Sequence, residues 1–271
     1  SGSTEDVLVA LFRLSPGLVE AHEVRADIAK IIELFRLGAD LRQSLGFEQQ
    51  LNAPSYPLAA PSNVMDAVSQ GRKVAADERR RLGLGIAPVS DLESLLMEQG
   101  IWVASSPLPD AVSGMFLADP TLGLAVVVNA GQVRWRQRFS LAHEYAHALM
   151  DRDRQATVSE SSNAGELYEK RANAFAAAFL VPAEGVREQL QLVAKARGSS
   201  QTLMVPEEGE LPAGTRPRLE VVQPYDVASL AHHFGVSYQT LVFQLQNAGA
   251  VNRSDADRLK RSEGAGVQFL R

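Results

Sequence analysis

The sequence predicts an α+β fold that is mainly helical and carries one small antiparallel or mixed sheet. Apolar residues recur at helical spacing over long segments, the first of them at 17–46. Two short apolar runs, at 114–118 and 124–129, flank the turn-rich segment DPTLG and are typical of a strand pair. The longer apolar run FSLAHEYAHALM follows at 139–150. A small sheet is therefore expected directly before a functionally important helix.

The remaining elements are assigned from periodicity, caps and breakers. Asp91 is a plausible N-cap for a short helix that Gly100 ends, and Pro182 stops a longer helix. A polar loop is expected after Met150. The predicted elements are, in order, helices at 17–46, 64–82 and 91–100, strands at 101–105, 114–118 and 124–129, and helices at 132–150 and 164–180.

Composition excludes several classes of function. The 271 residues include no cysteine, which rules out disulfides, thiolate metal sites and a cysteine nucleophile. A net charge of −5 argues against general nucleic-acid binding. No apolar run approaches the roughly 18 residues of a membrane span, and no signal peptide is recognisable. We therefore expect a cytoplasmic protein with no membrane partner.

The most specific motif is His-Glu-Tyr-Ala-His at 143–147. The chain has five histidines, and two of them, His143 and His147, are four residues apart with Glu144 after the first. On a helix, both imidazoles lie on one face and can reach one ion. This spacing is that of zincin metallopeptidases, in which two histidines bind zinc and the glutamate is the base.

A catalytic zinc needs a third protein ligand. The helix expected at 164–180 offers Glu166 and Glu169. Glu169 lies on or beside the apolar stripe of that helix, whereas Glu166 is one turn earlier and is the weaker candidate. Asn173, four residues after Glu169, is expected to accept a hydrogen bond from the distal N–H of a ligand histidine.

Two blocks, RQRFSLAHEYAHALM and EKRANAFAAAFLVPAEGV, carry a resemblance to a known family, and LESLLMEQGIWV and LAVVVN add to it. The chain resembles the ImmA/IrrE metallopeptidases over roughly residues 64–250. The family pattern is matched at Arg138, Phe139, His143, Glu144, His147, Glu169, Ala172, Asn173, Phe175, Ala176 and Pro182.

The resemblance implies a zinc enzyme. His143, His147 and Glu169 would hold Zn²⁺, and Glu144 would be the catalytic base. The implied substrate is a helix-turn-helix repressor, whose cleavage would release stress-response or mobile-element genes. Many relatives carry a DNA-binding domain ahead of the peptidase. Because no such domain is recognisable here, we expect DNA contact only through an N-terminal domain missing from this sequence.

The sequence also offers candidate contacts for a substrate and for the oxyanion. The run LAVVVN is interpreted as an exposed sheet edge that pairs with an extended substrate, with Val127, Val128 and Asn129 as candidate contacts. For the oxyanion, besides zinc, the candidates are Tyr225, His232 and His233.

The predicted organisation has five segments. They are a helical connector at 1–62, whose Ser-Gly-Ser start looks like a tag remnant, a zincin-like metallopeptidase domain at 63–196, a loop or linker at 197–223, a helix-turn-helix-like unit at 224–251, and a polar tail at 252–271. The helix-turn-helix-like unit has no Lys or Arg, so we expect it to pack against the peptidase or recognise a protein rather than DNA. The basic runs at 72–81 and 134–138 are interpreted as solvated helix faces.

Three alternatives stay open. In the first, the chain is a transcription regulator whose peptidase-like domain senses a ligand or partner without proteolysis. In the second, it is the partner of a small neighbouring protein in a toxin–antitoxin pair. In the third alternative Glu144 is a salt-bridging surface residue, and His143 and His147 are a satisfied core pair.

Overall fold

The computed structural model describes residues 22–47, 51–154, 156–196 and 222–264. Its helices and one small sheet confirm the predicted α+β class. The helices are α1 His22–Ser44, α2 Val64–Arg81, α3 Leu92–Glu98, α4 Arg134–Met150, α5 Leu167–Leu180, α6 Ala183–Ala196, α7 Pro224–Phe234, α8 Tyr238–Asn247 and α9 Arg253–Arg261. The strands are β1 Ile101–Ser106, β2 Val112–Asp119, β3 Gly123–Asn129 and β4 Ala156–Glu160.

The sheet is mixed and its order is β1-β3-β2-β4. Strand β3 is parallel to β1 and antiparallel to β2, and β4 is antiparallel to β2. The prediction that the 124–129 run is an exposed edge is therefore wrong. Val127, Val128 and Asn129 are buried in a central strand whose backbone pairs on both sides. An unbroken apolar run is what a strand buried on both faces requires.

The sheet is covered on both faces. On one face, Met115, Val127 and Val158 pack into a core with Ile28 and Ile32 of α1. Because side chains alternate along a strand, the residues between them point to the opposite face, where α4 packs on β2 and β3. The motif helix therefore lies directly against the sheet.

The structure adds three elements that the sequence analysis did not assign. Strand β4 lies where the sequence predicted a polar loop. Its hydroxyl residues alternate with apolar residues, a pattern that is typical of a strand. Helix α6 follows α5 directly after Pro182. Helix α9 lies in the segment assigned to a polar tail, is capped by Asn252 and buries Ala256 and Leu259.

The chain divides into two compact units. The first contains residues up to 77 and 90–176, and the second contains 78–89 and residues from 177 onward. The first unit holds α1, the sheet and α4. Its segment at 51–62 has no regular structure but is tied down, because Arg152 donates to the carbonyls of Ala53 and Pro54 at 2.8 and 2.7 Å.

In the second unit, the expected helix pair is present as α7 and α8. Gly235 links them with a φ of 66°, a left-handed conformation that suits glycine. Gln244 of α8 donates to the carbonyl of Val181 at 2.9 Å. None of the described helices is both long enough and apolar enough to cross a membrane.

Candidate metal centre

The motif helix α4 brings two histidines to one point. Residues 140–150 of this helix are all buried, which explains why the segment is apolar apart from the motif. His143 and His147 are one turn apart, and their Nε2 atoms are 3.2 Å from each other.

Glu169 completes the cluster from α5. Its Oε2 is 3.0 Å from His143 Nε2, and its Oε1 is 3.5 Å from His147 Nε2. Donor atoms around a tetrahedral zinc with bonds of about 2.0–2.1 Å lie about 3.3 Å apart. The three separations lie close to that value, with a different Glu169 oxygen facing each imidazole, so the three side chains could hold a metal ion such as zinc.

The outer nitrogens of both imidazoles have oxygen partners. His143 Nδ1 is 3.0 Å from Asn173 Oδ1, and His147 Nδ1 is 2.8 Å from Asp151 Oδ2. An imidazole that donates from Nδ1 carries its lone pair on Nε2. The two Nε2 lone pairs therefore face each other, and only a shared proton or a cation makes that arrangement favourable. The predicted role of Asn173 agrees with this geometry, whereas the sequence analysis missed Asp151.

Without a metal, the cluster holds a proton. Burial opposes a charged His147, but hydrogen bonds to Asp151 and Glu169 raise the pKa of His147 to about 10. Burial likewise opposes a charged Glu169, but the contacts with His143 and His147 lower the pKa of Glu169 to about 2. A metal ion must displace this proton to bind.

Glu144 lies beside the ligands and is fully buried. Within the described residues, neither carboxylate oxygen of Glu144 has a hydrogen bond of standard geometry, although the nearby Ser159 hydroxyl lowers the pKa of Glu144. Burial raises its pKa, while the nearby His143 and His147 oppose that shift. The carboxylate also approaches Gly114 of β2 so closely that a Cβ there would be 2.8 Å from its Oε1. Glu144 is thus an unpaired carboxyl group held against the sheet, and not a surface ion-pair residue.

Comparison with protein families adds an independent observation. Residues 96–196 match the peptidase family model described as the IrrE N-terminal-like domain. The match confirms the predicted resemblance and contains the whole His143, His147 and Glu169 cluster. The comparison with curated proteins gives no match.

The matched segment brings together most of the predicted site. His143, His147, Glu169, Asn173 and Glu144 all meet at the junction of α4 and α5. The alternative ligand Glu166 is exposed in the turn before α5. This difference agrees with the choice of Glu169.

The candidate oxyanion contacts do not lie on the helices that carry the metal cluster. Tyr225, His232 and His233 lie on α7 in the second unit, and their predicted role as oxyanion contacts stays a prediction. Asp151 was detectable in principle, because it follows His147 by four residues and a helix places them on one face. No local signal identifies Gly114, since its role depends on which strand packs under Glu144.

Proposed function

We propose that this chain is a zinc-dependent metallopeptidase in which Glu144 is the general base. The fully buried carboxylate of Glu144 carries the proposal, because it has no hydrogen bond of standard geometry among the described residues and lies next to the His143, His147 and Glu169 cluster. An uncompensated buried carboxyl group destabilises a fold, so a purely structural role offers no reason to keep it. The raised pKa of Glu144 suits a group that accepts and returns a proton.

In the proposed reaction, His143, His147 and Glu169 would hold zinc. When bound, zinc supplies Lewis-acid polarisation of the scissile carbonyl and acidifies a water molecule. Glu144 takes a proton from the attacking water at a carboxylate oxygen, then delivers it to the nitrogen of the leaving amine. Asn173 and Asp151 keep both imidazoles oriented while this proton moves.

We propose that the substrate binds as an extended segment along β4. In the described sheet, β4 is an outer strand. Its Thr157 and Ser159 side chains alternate with the core residues Ala156 and Val158, so they point to the α4 face. Both hydroxyl groups are buried, and that of Ser159 is near enough to Glu144 to lower its pKa. Strand β4 is thus next to the proposed base, and backbone pairing to the outer edge of a strand suits an extended peptide.

The resemblance to ImmA/IrrE proteins makes a helix-turn-helix repressor our proposed substrate. A peptide library, with new N-termini identified by mass spectrometry, would test peptidase activity without assuming that substrate. Zinc-loaded protein should cleave the library. Glu144→Gln should keep zinc yet lose cleavage, and His147→Ala should lose both.

Cleavage by the Glu144→Gln variant would contradict the proposed mechanism. If the zinc-loaded wild-type protein cuts neither the library nor purified repressors, the account favours a regulator that senses a ligand or partner without proteolysis.

A further inference from the structure

Arg171 is a buried cation near the metal centre that the proposed chemistry does not use. It lies on α5, two residues after Glu169, and its side chain is 1% exposed. A buried guanidinium needs compensating partners, because an unpaired charge in the interior is strongly destabilising. The partners of Arg171 therefore indicate what it does.

The guanidinium connects two other elements. Its Nη2 donates to Asp151 Oδ1 in a buried ion pair, and its Nη1 donates to Gln70 Oε1 of α2 at 3.0 Å. The amide of Gln70 is itself oriented, since its Nε2 donates to Asp66 at 3.2 Å and to the carbonyl of Ala59 at 3.3 Å. Arg171 is thus held in a single orientation by groups on both sides.

Asp151 divides its two oxygens between two donors. Its Oδ1 accepts from Arg171, and its Oδ2 is 2.8 Å from His147 Nδ1. Two donors at opposite oxygens fix the rotation of the carboxylate, which a single hydrogen bond does not. The direction of the His147 ring, and therefore of its Nε2 lone pair, depends on that rotation.

We infer that Arg171 is a positioning residue for the metal, acting through Asp151 on the ligand His147. A series of hydrogen bonds runs from Gln70 to Arg171, to Asp151 and to His147, and each bond fixes the next side chain. The inference rests on the proposed metal site, and it predicts that zinc affinity depends on a residue that touches no ligand atom.

Zinc affinity, measured by competition with a chromogenic chelator, tests the inference without an activity assay. Arg171→Met should weaken zinc binding by about 10–100-fold, the usual effect of removing an outer partner of a metal ligand. Arg154→Met is the matched control. Both arginines lie over the ring of Tyr168, at 4.0 Å from its centroid for Arg154 and 5.0 Å for Arg171, but only Arg171 binds the Asp151 carboxylate. The control variant should bind zinc within about 2-fold of wild type.

A double-mutant cycle separates positioning from general stabilisation. In the Asp151→Asn background, Arg171→Met should change zinc affinity by less than about 3-fold, because its effect passes through the carboxylate. If Arg171→Met does not fold, Arg171→Lys decides the question. Lysine keeps the charge but does not span Asp151 and Gln70, so the expected loss is about 3–10-fold.

The outcomes are distinguishable. Wild-type protein that binds zinc, together with an Arg171→Met or Arg171→Lys variant that binds it equally well, overturns this inference alone. A loss of the same size in the Asp151→Asn background also overturns it. Wild-type protein that binds no zinc overturns the proposed function together with this inference.

Discussion

Replacing Gly114 by alanine tests whether the sheet positions the proposed base. A Cβ at this position would be 2.8 Å from Glu144 Oε1, 3.1 Å from its Cγ and 3.2 Å from its Cδ. Ordinary carbon contacts are about 3.5–4.0 Å, so the side chain of Glu144 must move by about 0.5 Å. Glu144 is fully buried, and because protein interiors are closely packed, we expect such a movement to disturb its neighbours.

The magnitudes predict a net loss of stability and of activity. Overpacking lowers the free energy of unfolding by about 1–3 kcal/mol, and the reduced flexibility of the unfolded chain raises it by about 0.4–1 kcal/mol. The free energy of unfolding should therefore fall by about 0.5–2 kcal/mol. Displacing a catalytic group by a fraction of an ångström should lower peptide cleavage by about 10–100-fold.

Measuring zinc affinity distinguishes displacement of Glu144 from a general loss of structure at the site. Zinc affinity of Gly114→Ala should stay within about 3-fold of wild type, because no ligand is touched. Gly165→Ala is the control, since a Cβ there meets nothing within 4 Å. Urea denaturation, chelator competition and the peptide-library assay measure the three quantities. Cleavage by Gly114→Ala within 2-fold of wild type would refute the positional argument.

Four further predictions concern the metal centre and its surroundings. Asn173→Ala should weaken zinc binding by about 10-fold by releasing the His143 ring, and unchanged affinity in a chelator competition would contradict this role. Zinc affinity should rise with pH by up to about tenfold per unit between pH 6.5 and 10, because the metal displaces the proton of His147, whose pKa is raised to about 10. Calorimetry at several pH values would measure this dependence, and an affinity that does not change with pH would refute it. By the same linkage, the raised pKa of His147 stabilises the metal-free protein fully below pH 6.5, and this stabilisation is lost as pH rises through 10. A melting temperature of the metal-free protein that stays constant between pH 6.5 and 10 would contradict this prediction. Gly71→Ala should lower the free energy of unfolding by about 3 kcal/mol, since its Cβ would be 2.3 Å from the backbone oxygen of Arg171. Urea denaturation measures this free energy, and an unchanged value would show that α2 and α5 can separate.

The sequence predicts local features of the site well. Helical spacing places His143 above His147, and the stripe on α5 selects Glu169 over Glu166. Both predictions depend on positions within one helix, where the geometry is fixed by the 3.6-residue period.

Features that depend on strand order were not predictable. An apolar run such as β3 is compatible with an edge or a central position, and only the long-range pairing of β1 with β3 decides between them. Strand β4 was missed because its alternating hydroxyls make it polar, although they point to the site face and not to solvent. The network through Arg171 joins residues about a hundred positions apart, which no local pattern reports.

We infer that His143, His147 and Glu169 bind one metal ion. Anomalous diffraction at the zinc absorption edge, from crystals of zinc-loaded protein, would show where the metal lies. We expect one strong peak about 2.0–2.2 Å from the two Nε2 atoms and from a Glu169 oxygen. A zinc-loaded crystal with no peak between these side chains, or with its peak at other residues, would contradict the account.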